Sequence, residues 1–407
     1  MRLRWYVDTG GQGAPVPPNE LENTMAHSIR ATLWMTAAAT SCVLALAAPA
    51  FAQDEAADDS TDQTGMQAEE TGAEEAMSGD AAPMSGTMDR ADADMARVLE
   101  ALVALEPKPI PELTAEVARQ QPTPADAVAR VIEEDGLDVP EPAVTRQDIT
   151  YPAAEGDQPA RVYIPTDAGE GPFPLVVYVH GGGWVIADID TYDASAASLA
   201  DKLGAVVISL EYRHAPESPF PAAHEDVLAG YIWAVENGGQ FNANADRLAL
   251  VGESVGGNMV VATAIAARDQ QLTMPDHVVS VYPVAQTSLD TESYMENAEA
   301  VPLNRAMMEW FFDLTVTDEG QMADPRISLV DADLAGLPPI TIVNADIDPL
   351  LSDGTMLAEA IETAGGEVEQ RTFEGVTHEF FGMAAVVEDA AAAQDYAVER
   401  LNADLGE

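Results

Sequence analysis

Cysteine is nearly missing from this chain: 407 residues contain one, Cys42. A lone thiol excludes an internal disulfide and a cysteine-ligated metal site. Basic residues are scarce as well, 18 Lys and Arg against 70 Asp and Glu, which gives a net charge of −52. The only lysines are Lys108 and Lys202. So acidic a surface repels phosphate backbones and anionic lipid, which argues against nucleic acid as a partner and against stable membrane insertion. It suits a saline environment, where counterions screen the self-repulsion. Aromatic residues are absent from Gln53 to Asp94, where carboxylates from Asp54 to Asp94 face Arg90 alone. With almost nothing to bury, residues 53–94 read as an acidic disordered linker. There is no H-E-x-x-H, no paired C-x-x-C, no P-loop and no internal repeat, so neither a metal nor a cofactor is expected.

Long apolar runs are also few. The one in residues 25–52, "MAHSIRATLWMTAAATSCVLALAAPAFA", begins with Arg30 and ends in Ala50-Phe51-Ala52. This is the pattern of a secretory signal peptide, too short and too Ala-rich at its end for a membrane span. We therefore expect an exported protein, periplasmic or extracellular, whose mature form has no cysteine. Residues 1–24 lack periodicity and look out of place ahead of a signal peptide, so translation is expected to start at Met25, leaving 1–24 a non-native extension.

What is present after residue 94 is alternation. Helical spacing in "MARVLEALVALEP" and "ADAVARVIEE" is followed by short apolar runs at 174–179, 205–212, 247–252, 278–284, 338–346 and 367–373. Helical patterns lie between most of these runs. Continuous apolar strands alternating with helices predict an α/β fold, a mostly parallel sheet covered on both faces. Active groups in such a fold sit on loops at the carboxyl ends of the strands.

Two of those loops carry chemistry. In "LALVGESVGGNMVV" a strand stops at a serine set among glycines, and Gly252-Glu253-Ser254-Val255-Gly256 fits G-x-S-x-G, a turn that lifts a serine hydroxyl clear of the sheet. The run 174–179 leads into His180-Gly181-Gly182-Gly183-Trp184. Consecutive glycines there can present backbone N–H groups to an oxyanion. A serine nucleophile needs a base and the base an orienting carboxylate, in the chain order Ser, acid, His. His27 lies in the signal peptide, His180 in the glycine loop, and His214, His224 and His277 precede the acid's expected region, so only His378 remains. "NADIDPLLSDG" offers Asp346, Asp348 and Asp353. Asp348, fixed by Pro349, is preferred; Asp346 competes, and Asp353 is expected to cap the following helix.

Taken together, "HGGGW", "YRHAPESPFPAA", "GESVGG", "DPLLSDG" and "HEFFGM" resemble the bacterial hormone-sensitive-lipase-like carboxylesterases of the α/β-hydrolase fold, over about residues 95–405. The resemblance implies Ser254 as nucleophile, Asp348 as orienting acid, His378 as general base and an oxyanion hole from Gly182, Gly183 and Val255 N–H. It implies a 95–407 hydrolase domain with a helical cap from about 95–145 and about 287–320. The Met and aromatic residues of "LNRAMMEWFFDLTV" then line an acyl pocket or pack on the core. The family more often has Asp-Ser-Ala where this chain has Glu253-Ser254-Val255. Valine keeps the N–H donor and narrows the acyl site. Arg213 and Glu217 read as structural loop residues.

The implied activity is hydrolysis of short- to medium-chain acyl esters, with a small-molecule ester as partner. Amides, lactones or carbonates are open to the same triad. A non-catalytic receptor on this scaffold is disfavoured because no triad member is missing, and a homo-oligomer is compatible with the sequence. If Met25 is the start, replacing its codon in the native gene abolishes the product; undiminished product contradicts that start.

Overall fold

The structure, a computed structural model, describes residues 81–406. The expected extension, the signal peptide and the linker as far as residue 80 lie outside the described residues. Eight strands form one sheet: β1 (Val144–Ala153), β2 (Gly156–Pro165), β3 (Phe173–Val179), β4 (Val206–Leu210), β5 (Ala243–Glu253), β6 (His277–Val281), β7 (Ile340–Ile347) and β8 (Val368–Thr377). Their order is β1-β2-β4-β3-β5-β6-β7-β8. The first two pairings, β1 with β2 and β2 with β4, are antiparallel, and every later one is parallel. The helices are α1 (Ala81–Arg90), α2 (Ala93–Val103), α3 (Ala115–Ala118), α4 (Pro124–Asp135), α5 (Asp193–Leu203), α6 (Ala222–Asn237), α7 (Val255–Gln270), α8 (Glu292–Glu296), α9 (Arg305–Thr315), α10 (Leu351–Thr363) and α11 (Glu388–Leu405).

Side-chain alternation along the central strands fills two cores at once. Leu175, Val177 and Val179 of β3 join α6 and α7 residues such as Val227, Tyr231, Met259 and Val260. Val176 and Tyr178 join Leu199 of α5 and Ala393, Ala397 and Leu401 of α11. All seven β3 residues are buried, as a strand covered on both faces requires.

Six strands follow the apolar runs of the sequence. The other two, β1 and β2, pair as a hairpin around Ala154-Glu155. Most of β1 is exposed or half-buried, so its polar residues hide it from any search for continuous apolar runs.

The linker boundary at 94 is corrected by α1 and the start of α2. Side chains here find partners that composition does not reveal. Met88 packs against the core, and Arg90 Nη1 donates to Asn297 Oδ1 at 2.7 Å. Asp92 N donates to Gly375 O at 2.9 Å. In α2, Met95, Val98, Leu99 and Leu102 are buried on one stripe, which packs with Ala127 and Val131 of α4 in the same core. The Thr123–Asp126 capping box starts α4, and Gly136 ends it in the left-handed conformation. The insertion after β6 contributes α9, whose Met308, Phe311 and Phe312 are buried in the sheet's first core.

The segment after β4 is held by charge. The Asp226 carboxylate is fully buried, takes Arg213 Nε at 2.7 Å and Nη2 at 2.9 Å, and also accepts from Arg213 N. Glu217 pairs with Arg119 at 2.7 Å, but its side chain is 61% exposed. Both are structural, with different weight. Arg213→Ala strands a buried carboxylate and should cost about 3–5 kcal/mol, whereas Glu217→Ala should cost under about 1 kcal/mol. Chemical denaturation of the two variants checks this; equal losses contradict it.

Candidate active site

β5 ends at Glu253 and α7 begins at Val255, so Ser254 alone makes the turn, with φ 59° and ψ −118°. A non-glycine residue held there costs roughly 1–3 kcal/mol. The surrounding core offsets this, since each fully buried aliphatic residue contributes about 1.5–3 kcal/mol, and Leu248, Leu250, Val251 and Val255 are all fully buried. Ser254 N donates to Val281 O at 2.9 Å, tying the turn to β6. Glycine is obligatory at 256, because any side chain would run into the carbonyl oxygens of Val179 and His180.

The neighbouring strand ends bring two more groups to this hydroxyl. His378 follows β8, and its Nδ1–H donates to Asp348 Oδ2 at 2.6 Å. A carboxylate accepts only, so the proton sits on Nδ1 and the Nε2 lone pair faces outward. Ser254 Oγ lies 3.0 Å from that Nε2 and donates to it. Ser254, Asp348 and His378 are 5%, 0% and 2% exposed. Asp348 follows β7, and its other oxygen accepts Leu350 N at 2.9 Å.

Asp346, the competing acid, faces the other way, with Arg90 Nη2 3.8 Å from its carboxylate. Asp353 does not cap α10 and is corrected here. It lies within the first turn, and its carboxylate accepts Ala285 N, Gln286 N and Gln286 Nε2, fastening the segment after β6 to α10. Burial pushes its carboxyl up to about 7. An unforeseen support is Asn297, whose Nδ2 donates to Asp348 O at 3.1 Å while Arg90 of α1 holds its Oδ1. No sequence signal marked it.

The glycine loop sits at the end of β3. Gly182 and Gly183 have φ of 97° and 62°, and a side chain on Gly183 would collide with the Phe311 ring of α9. Among the described residues, no acceptor takes the N–H groups of Gly182, Gly183 or Val255. They remain available to an oxyanion, with the α7 N-terminus adding its partial positive charge. Trp184 is buried between His224 and Phe312, and Gly181 packs against Tyr192.

His180 anchors this loop. Its Nδ1 lies 2.9 Å from Gly181 O and its Nε2 3.0 Å from Glu211 Oε1, and its ring stacks on Tyr212. Both ring nitrogens face acceptors. Burial works against the imidazolium, yet the charge and bond of Glu211 raise its pKa overall. His214 Nε2 lies 3.1 Å from the same Glu211 oxygen. His180, Glu211 and His214 form the one group among the described residues whose ligand atoms converge closely enough for a metal ion.

Glu253, between Gly252 and the nucleophile, points into the second core. Its two oxygens accept the hydroxyls of Tyr178 and Tyr282, and the Tyr282 ring lies 4.4 Å from that of His378. Sequence reading missed these tyrosines and Glu379, although Glu379 is the residue directly after His378 in the quoted motif.

A family model described as alpha/beta hydrolase fold matches residues 176–382. The chain is 37% identical to the carboxylesterase NlhH of Mycobacterium tuberculosis over 243 residues, 58% of this chain and 75% of the relative. It is 34% identical to an ethyl acetate hydrolase of Pseudomonas putida over 251 residues, 61% of this chain and 79% of the relative. A Pyrobaculum calidifontis esterase structure is similar with a TM-score of 0.66 and 32% identity, covering 72% of this chain and 94% of that one.

Any reaction that uses His378 Nε2 as a base needs the neutral ring. Burial by itself lowers the pKa of this imidazolium, but the charge and hydrogen bond of Asp348, with Glu379 and Glu253 nearby, raise it overall from 6.5. Protonation then removes the base as pH falls through a value above 6.5. The acid limb of kcat/KM for turnover at Ser254 should accordingly lie above 6.5, the ordinary value. A limb below it contradicts this electrostatic picture.

Proposed function

The chain belongs to the alpha/beta-hydrolase-fold family and is a carboxylic ester hydrolase, and we propose that Ser254, His378 and Asp348 carry the reaction, with short- to medium-chain acyl esters as substrates. The observation that carries this is the hydrogen-bonded line from Ser254 Oγ through His378 to Asp348.

The chemistry follows from that line. Ser254 Oγ attacks the ester carbonyl as its proton passes to His378 Nε2. The carbonyl oxygen becomes an oxyanion, and the N–H groups of Gly182, Gly183 and Val255 donate to it. Asp348 keeps the ring in the tautomer that can accept, and stabilises the imidazolium that forms. The proton on Nε2 then goes to the leaving alkoxide, which departs as alcohol and leaves an acyl-Ser254 ester. Water attacks that ester with His378 again as base, releasing the acid and restoring Ser254. The Phe311 ring lies against Gly183 of the glycine loop and Val255 follows the nucleophile, and we read both as narrowing the acyl side in favour of short acyl groups. The ethyl acetate hydrolase among the relatives supports the same range.

We also propose export to the periplasm or the extracellular space, on the pattern of residues 25–52. Among the described residues no helix is long and apolar enough to cross a membrane.

The test is a chromogenic ester series of increasing acyl length, run on the protein and on Ser254→Ala. Turnover should be highest for the short acyl groups and fall by roughly 10⁴ or more in the variant. Equal rates in the two proteins contradict the assignment of Ser254, and a preference for long chains contradicts the substrate range.

A further inference from the structure

Two carboxylates beside the triad have no part in the mechanism above. Glu253 precedes the nucleophile and Glu379 follows the base, so one acid is a chain neighbour of each. Glu379 holds φ 70°, a left-handed conformation that glycine would adopt without strain. Its Oε1 accepts the Tyr192 hydroxyl at 2.7 Å and lies 4.0 Å from His378 Nε2. Burial lifts both carboxyls, with the charge of Glu379 adding to the rise of Glu253, to about 7, and that of Asp348 to the rise of Glu379. Among the described residues neither pairs with a lysine or arginine. Glycine at 379 would relieve the backbone strain there, and such breaches of local preference concentrate at functional sites.

Both acids line a single cavity of about 80 Å³, with Tyr192 and Ser195 beside them and Pro124 and Val128 of α4 above. Ser195 is fully buried, its hydroxyl beside the Glu253 carboxylate and the Tyr178 hydroxyl. The cavity therefore places the Glu379 carboxylate, which has no lysine or arginine partner among the described residues, beside His378 Nε2, the atom that must protonate the leaving alcohol.

We propose that this cavity is the leaving-group subsite for an alcohol bearing a cation, that is, for esters of amino alcohols. The inference rests on the ester-hydrolase reading and names the substrate class. A leaving oxygen at hydrogen-bond distance, about 3 Å, from His378 Nε2 lies within about 7 Å of Glu379 Oε1, which is 4.0 Å from the same nitrogen. A two-carbon spacer then delivers an ammonium to Glu379, with Glu253 and Ser195 behind it. The net charge of −52 draws such a substrate in.

The test uses two esters of matched shape, 2-(dimethylamino)ethyl acetate and 3-methylbutyl acetate, on the protein and on Glu379→Gln. The quantity read is the ratio of kcat/KM for the two esters within each protein, so any shared loss of activity cancels. The parent should favour the amino ester, and Glu379→Gln should lower that ratio about tenfold or more, the effect of losing one hydrogen bond to a charged group. An unchanged ratio overturns the proposal. As a measure that needs no variant, 2-(dimethylamino)ethanol should inhibit the parent at about a tenth or less of the concentration needed for 3-methylbutanol; equal inhibition constants overturn it. If the parent hydrolyses neither these esters nor the chromogenic series, the ester-hydrolase reading itself fails; chromogenic turnover without discrimination between the pair defeats only the subsite.

Discussion

One line of hydrogen bonds, Ser254 to His378 to Asp348, sets the demands that the rest of the structure meets. Its three members come from the ends of β5, β8 and β7, which are brought side by side by the parallel order β5-β6-β7-β8. A line of this kind tolerates little error, because a small displacement at Nε2 breaks the proton path. The strained turn at Ser254 is one consequence. The glycine at 256, with its helix pressed onto the end of β3, is another. The acid is steadied from two directions, by Leu350 N and by the chain from Arg90 through Asn297 to its carbonyl.

Electrostatics divides the buried charges into two kinds. Asp226, Glu211 and Asp348 each face a partner that answers the charge: Arg213, His180 and His378. Burial is then sustainable, since hydrogen bonds and opposite charge offset the desolvation cost. Glu253 and Glu379 face tyrosine hydroxyls and each other instead, and both sit one residue from the chemistry. Glu253 spends both oxygens on its tyrosines, which leaves Glu379, 4.0 Å from His378 Nε2, as the carboxylate placed to meet a cation.

Much of this was legible in the chain. The buried parallel strands announced themselves as apolar runs, because a strand covered on both faces has no polar side to show. Ser254 and the 180–184 loop were legible because backbone strain and close approach demand glycine around them. His378 emerged because chain order left no other histidine. What escaped was whatever depends on contacts distant in sequence. The hairpin of β1 and β2 is half-exposed and mixes polar with apolar residues, so no periodicity set it apart. α1 lies in an acidic, low-complexity stretch, and only its contacts with Asn297, Glu296 and Asp346 show why it is ordered. Asp353 occupies a capping-like position, yet its partners come from the segment after β6.

The central claim is that Ser254 attacks with an oxyanion hole already formed by Gly182, Gly183 and Val255. A crystal structure of the protein inactivated by a nitrophenyl phosphonate tests it most directly, since the adduct mimics the tetrahedral intermediate. The account predicts one adduct, on Ser254 Oγ, with the phosphonyl oxygen about 2.7–3.1 Å from those three nitrogens and His378 Nε2 facing the alkoxy oxygen. An adduct on another residue, or a phosphonyl oxygen turned away from the glycine loop, contradicts it.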